Sequence, residues 1–142
     1  SPLAEKVLRK AHGRLSPYLI PKSREGAIKM ARVLKDGGHL AIMIDQKLNE
    51  GITIPFFGRP AKTTTALAAF ALRHRCPIIP ARVERIAGAT FRVIFYPPIQ
   101  LPNSGDTVRD TELIMLNANQ IIEDWIRDTP SQWLWLHRRW GK

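Results

Sequence analysis

The run His39-Leu40-Ala41-Ile42-Met43-Ile44 is apolar without alternation and stops on Asp45-Gln46. A strand with one wet face alternates apolar and polar residues, whereas a strand covered on both faces does not. The run therefore predicts a central strand of an α/β sheet with helices on both sides. In open α/β sheets, ligands bind in the crevice at the carboxyl ends of the strands. Asp45 and Gln46 are thus placed where chemistry is expected, although an acid after a strand also commonly caps a turn.

The rest of the chain supplies the layers around that strand. Ser1-Pro2 is a helix start, with Leu3, Val7, Leu8 and Ala11 on one face, and Pro17 and Pro21 bracket a short extended piece. Ser23 can cap a second helix, with Ala27, Ala31 and Leu34 facing inward, which Gly37-Gly38 ends. Thr63-Thr64-Thr65 introduces an Ala-rich helix reaching about His74, whose small residues permit close packing on a sheet. Pro77 to Ile86 and Thr90 to Tyr96 read as an antiparallel pair around Ala87-Gly88-Ala89, with Phe91, Val93 and Phe95 on one face. Beyond a Pro-rich linker, Ile114, Ala118, Ile121, Ile122 and Trp125 mark a long amphipathic helix. The expected fold is α/β: a mixed, mostly parallel sheet with a parallel centre from Leu40 and Ile78, an antiparallel strand near Phe91 and helices on both faces. A length of 142 residues with 44% hydrophobic content suits one domain over residues 1–142.

The net charge of +10 favours anionic partners: phosphates, nucleic acid, acidic proteins or anionic lipid headgroups. The single cysteine, Cys76, excludes an intrachain disulfide. The longest apolar run, Ala66 to Leu72, falls far short of the roughly 20 residues that span a bilayer. His12, His39, His74 and His137 fall in four different predicted elements, without zinc spacing, and no Gly-rich phosphate loop is present, so neither a metal nor a cofactor is implied. The tail interleaves Trp133, Trp135 and Trp140 with His137, Arg138 and Arg139. Three readings stay open for it: base stacking on single-stranded nucleic acid, a membrane interface with guanidinium groups on phosphates, or Trp in the core with Arg in water.

Asp45-Gln46, Pro55-Phe56-Phe57-Gly58, Thr63-Thr64-Thr65 with its Ala-rich helix, and the ending Pro130-Ser131-Gln132-Trp133-Leu134-Trp135-Leu136-His137-Arg138-Arg139 occur in one order along the chain. Together they resemble the bacterial lipid A biosynthesis acyltransferases, the lauroyl and myristoyl transferase group, over essentially the whole chain. The resemblance implies a glycerolipid-acyltransferase-like fold and a membrane-associated enzyme at the cytoplasmic side of the inner membrane. Its reaction moves a fatty acyl chain from an acyl-carrier-protein thioester to a hydroxyl of a phosphorylated lipid A precursor, with no cofactor and no nucleic acid.

Carried over to this chain, the resemblance makes Asp45 and Gln46 polar organisers of the catalytic site. Arg14, or Lys10 in its place, falls where the family places a basic residue toward phosphate. Phe56, Phe57 and Gly58 would shape the pocket edge, and Arg82 and Arg85 would meet phosphates from the sheet, where a solvated face is the other reading. Trp133, Trp135, Arg138 and Arg139 would contact membrane or phosphate. The family's general base is a His separated by four residues from an acid. Here the corresponding positions after His12, His39, His74 and His137 hold Pro17, Ile44, Ile79 and Lys142. The expectation is a C-terminal portion whose amino-terminal part, with the catalytic His, is missing; the alternative is a degenerate homologue. The competing readings are a basic nucleic-acid-binding module and a non-catalytic interaction domain.

Overall fold

The computed structural model describes residues 20, 23–134 and 138–141, and the chain divides into two compact units, Ser1–Leu40 and Ala41–Lys142. In the first unit, helix α1 (Arg24–Lys35) begins where Ser23 accepts a hydrogen bond from the Gly26 N–H at 3.1 Å. Glu25 in its first turn and Arg32 and Lys35 in its last complement the helix dipole. It ends in a Schellman motif. Gly37, at φ 78°, donates to the Leu34 carbonyl at 3.1 Å and Gly38 to the Val33 carbonyl at 2.8 Å. The helix read from Ser23 to Gly37-Gly38 is therefore present, with its cap.

The second unit opens with a hairpin that the residue pattern does not announce. Strands β1 (Ile52–Phe56) and β2 (Arg59–Thr63) pair antiparallel from Ile52↔Thr63 to Phe56↔Arg59. Their two-residue turn, Phe57-Gly58, has positive φ at both positions, 49° and 68°, as the turns matched to strand twist require. Ile54 and Phe56 of β1 and Ala61 and Thr63 of β2 point inward. Helix α2 (Ala66–His74) follows, and its buried Ala68 and Ala71 let helix α3 (Thr107–Asp128) approach closely. The core is Ile54, Ala68, Ala71, Ile78, Ile114, Met115 and Ala118. Between the helices, strands β3 (Ala81–Ala87) and β4 (Thr90–Phe95) form a second antiparallel hairpin. A short 3-10 turn, Pro130–Gln132, leads into the tail.

The α/β mix is present, but the parallel centre is not formed among the described residues: both ladders are antiparallel and two-stranded. Ile78 makes an isolated antiparallel bridge to Ile99. The segment around Ile42 to Ile44 carries no strand, and residues 41–44 make no backbone hydrogen bond to any described residue. Ile42 and Ile44 are half-buried while Met43 is exposed. The apolar run records avoidance of water, and that is satisfied here by a groove wall without a ladder partner.

Two glycines carry the first hairpin in different ways. A Cβ on Gly58 would meet nothing within 4 Å, so its role is conformational, whereas a Cβ on Gly51 would collide with the backbone carbonyl of Thr63. Gly58→Ala should cost about 1 kcal/mol from strain alone. Gly51→Ala should cost about 3 kcal/mol or more, because backbone must move. Urea unfolding of the two variants checks this, and equal losses would contradict it.

Candidate functional site

Helix α3 presents its apolar stripe in two directions. Ile114 and Ala118 enter the core, while Ile121, Ile122 and Trp125 turn toward a groove of about 500 Å³. The rest of its lining includes Ile42 to Asp45, Ile78, Pro80 to Val83, Trp133 and Leu134. This volume lies in the range of small-molecule sites, and the lining is mostly apolar with a few polar groups at its margin. Those polar groups are Asp45, Arg82, Thr129 and Gln132.

Asp45 is held from behind. Its Oδ2 accepts a hydrogen bond from the Trp133 indole Nε1–H at 3.2 Å, and Oδ1 accepts none from the described residues. The Trp133 ring meets Phe56 edge-on at 5.8 Å between centroids, and Phe56 also packs against Trp140 at 5.6 Å. The Trp140 indole N–H donates to the Phe56 carbonyl at 3.0 Å. Lys47, two residues past Asp45, donates to the Gly141 carbonyl at 2.8 Å. The end of the chain is thus stitched to β1 and to the loop bearing Asp45.

Arg139 fills the space under Phe56. It is only 2% exposed, its guanidinium lies 4.8 Å from the Phe56 ring centre, and it donates to the Lys62 carbonyl and to Thr63 Oγ1, both at 2.8 Å. Its Nε is buried without a partner. Burial pushes the guanidinium below its ordinary pKa, and the charge of Asp45 partly restores it. Asp45 is therefore tied to two groups of the tail, one by a hydrogen bond and one through the field.

The turn beyond Phe56 is strained and clamped. Phe57 is a non-glycine residue at φ 49°, a conformation that costs about 1–2 kcal/mol. Its N–H donates to Glu123 Oε1 at 2.7 Å, and its ring sits 4.8 Å from the Arg127 guanidinium. Arg127 in turn pairs with Glu123 Oε2 at 2.7 Å. One turn earlier on α3, Asn119 donates to the Pro55 carbonyl at 2.9 Å. Met115, Asn119 and Glu123 are buried and spaced by four along the helix. A polar pair continuing an apolar stripe at helical spacing was the available signal for this clamp, and the sequence reading passed over it.

The expected site residues are only partly brought together. Asp45 is on the groove wall and Gln46 is half-buried beside it in sequence. Phe56, Phe57 and Gly58 do not line the groove; Phe56 packs against Trp133, which does. Arg82 lines the groove but is engaged by Glu84 at 3.2 Å, by Asp128 at 3.5 Å and by the Thr129 hydroxyl. Arg85 is exposed, with its guanidinium 5.3 Å from the Phe91 ring centre. Arg138 is exposed, whereas Arg139 is corrected from a membrane or phosphate contact to an interior anchor, because it is buried and both its amino groups donate to oxygens of β2. Arg14 and Trp135 lie outside the described residues. Trp133 and Trp140 are packed on Phe56.

His74 does not line the groove: it ends α2 with Nε2 buried and unpaired, its ring 6.3 Å from that of Phe70. Among the described residues no group of His, Cys, Asp and Glu is arranged to hold a metal, and no helix is long and apolar enough to cross a membrane.

Replacing Arg139 by Met should destabilise the fold by about 2–4 kcal/mol, since two buried acceptors lose their donor. Arg138→Met should stay within about 0.5 kcal/mol. Trp133→Phe, which keeps a ring and loses the N–H, should cost about 1 kcal/mol. Denaturant midpoints check the order, and an Arg139 variant as stable as the Arg138 variant would contradict the anchoring role.

Over residues 2–142 the sequence matches the family described as bacterial lipid A biosynthesis acyltransferase. A comparison with curated proteins finds none that matches.

Proposed function

Because the chain belongs to the bacterial lipid A biosynthesis acyltransferase family, we propose that its groove holds the fatty acyl chain of an acyl-carrier-protein thioester while a hydroxyl of a phosphorylated lipid A precursor attacks the carbonyl. In that transfer a C–O bond forms, the C–S bond breaks, and the proton leaving the hydroxyl ends on the thiol. The observation that carries the reading is the position of Asp45: a carboxylate in the lining of an apolar groove, fixed by Trp133 on one oxygen and with no donor to the other among the described residues. A carboxylate so held can accept a hydrogen bond from the acceptor hydroxyl or orient a base that takes its proton. Gln46 stands next to it as a second polar organiser.

The surrounding charge suits both substrates. A net charge of +10 draws an acidic carrier protein toward the groove and neutralises phosphates on the acceptor. Work on a lipid acceptor places the protein at a membrane, which for this biosynthesis is the cytoplasmic face of the inner membrane. The His-and-acid pair that serves as base in this family has no counterpart among His12, His39, His74 and His137. The 142-residue chain on its own is accordingly expected to be inactive by that mechanism.

The test is acyl transfer from acyl carrier protein to a lipid A precursor by the full-length gene product and by its Asp45→Asn variant. The variant should stay folded, with lower stability because Arg139 loses the charge that offsets its burial, and should lose about 10²-fold or more in turnover. Parental turnover by the folded variant would remove Asp45 from the site, and no transfer by a folded, membrane-inserted parent would favour a non-catalytic interaction protein. Turnover by the isolated chain would show that a base inside these residues had been missed.

A further inference from the structure

Trp133 belongs to the groove and to the acid at once. It is part of the groove lining, and its indole N–H donates to Asp45 Oδ2 at 3.2 Å. The two residues stand 88 positions apart in the chain, so nothing local holds them together. The bond lasts only as long as packing keeps the indole in place. On the backbone side that packing begins one residue earlier. Gln132 accepts from the Arg85 N–H at 2.7 Å and donates to the Arg85 carbonyl at 3.3 Å, which ties the 3-10 turn before Trp133 to β3.

The ring is backed by Phe56. The two meet edge-on with centroids 5.8 Å apart, and Phe56 is itself buried, with the Arg139 guanidinium 4.8 Å from its centre and the Trp140 ring at 5.6 Å. An interior packed this closely yields little. The freedom left to Trp133 is rotation of its indole, and rotation is the motion that breaks the bond to Asp45. An acyl chain lying in the groove presses on the same indole from the other side, where it opposes that rotation. Contact with a part of the substrate that does not react is thereby spent on orienting a group that does.

We propose that Trp133 is a positioning residue that couples an acyl chain in the groove to the orientation of Asp45, so that chain length acts on turnover and not on binding alone. This role rests on the function proposed above. The experiment compares the full-length gene product with its Trp133→Phe variant, each with two acyl-carrier-protein donors: the better of lauroyl and myristoyl, and hexanoyl, whose chain fills only part of the groove. In the parent the short donor should lower kcat about tenfold or more. Trp133→Phe keeps a ring in the lining and loses the N–H. With the long donor it should lower kcat about tenfold and leave KM within about twofold, and kcat for the two donors should become nearly equal. A ring that serves as wall alone would show in KM, and one that serves the fold alone would lower both donors equally; either result overturns the coupling. In an Asp45→Ala background Trp133→Phe should remove little further turnover, and independent, additive losses also overturn it. Should Trp133→Phe not fold, the parent decides: a short donor that raises KM with kcat unchanged overturns the proposal. With Asp45→Asn impaired and Trp133→Phe keeping the parental dependence on chain length, the groove and the acid stand and only the coupling falls. A folded parent that transfers nothing removes both.

Discussion

Burying a guanidinium costs several kcal/mol unless its donors and its charge are met, and Arg139 is buried in the middle of the second unit. Its two amino groups meet the Lys62 carbonyl and the Thr63 hydroxyl, the Phe56 ring takes its face, and the charge of Asp45 lies near enough to offset part of the desolvation. These groups come from three stretches of chain: β1, β2 and the loop that bears Asp45. Satisfying one side chain thus fixes the tail against β2, β2 against β1, and the loop of Asp45 against both. The position of the acid at the groove is a consequence of where that cation is anchored.

The strained turn is explained by the same economy. Phe57 holds a left-handed conformation because Glu123 captures its N–H and Arg127 covers its ring. That clamp presses Phe56 back onto Trp133 and Arg139. Helix α3 therefore does two things along one length: its Asn119 and Glu123 positions lock the hairpin, while Ile121, Ile122 and Trp125 form the groove wall. A wall and an acid positioned by one helix keep a fixed distance from each other, which a transfer site needs.

What could be read from the residues alone follows from how local each signal is. The cap at Ser23, the Gly37-Gly38 stop, the Ala-rich helix and the apolar stripe of α3 are decided within a few residues, and the structure carries all of them. The run ending at Ile44 was read as a paired strand, but an apolar run reports only that water is avoided; the identity of the hydrogen-bond partner lies elsewhere in the chain. The first hairpin was obscured because Pro55 and Pro60 stand opposite each other inside it, against ordinary strand preference. Phe91, Val93 and Phe95 were placed correctly on one face, and which way that face points is settled by Arg82 bonding to α3, a long-range fact. Asp45 was visible by position, while Arg139 was misplaced because charge alone suggests the surface and only Phe56, Lys62 and Thr63 together make an interior for it.

The central claim is that an acyl chain lies in the groove beside Asp45. Photo-crosslinking of the full-length gene product with a diazirine-bearing fatty acyl thioester, read by peptide mass spectrometry, tests it directly. Labels on Ile121, Ile122 and Trp125, the α3 wall of the groove, are the predicted result. Labelling confined to residues outside that wall, with the protein folded, would contradict the account.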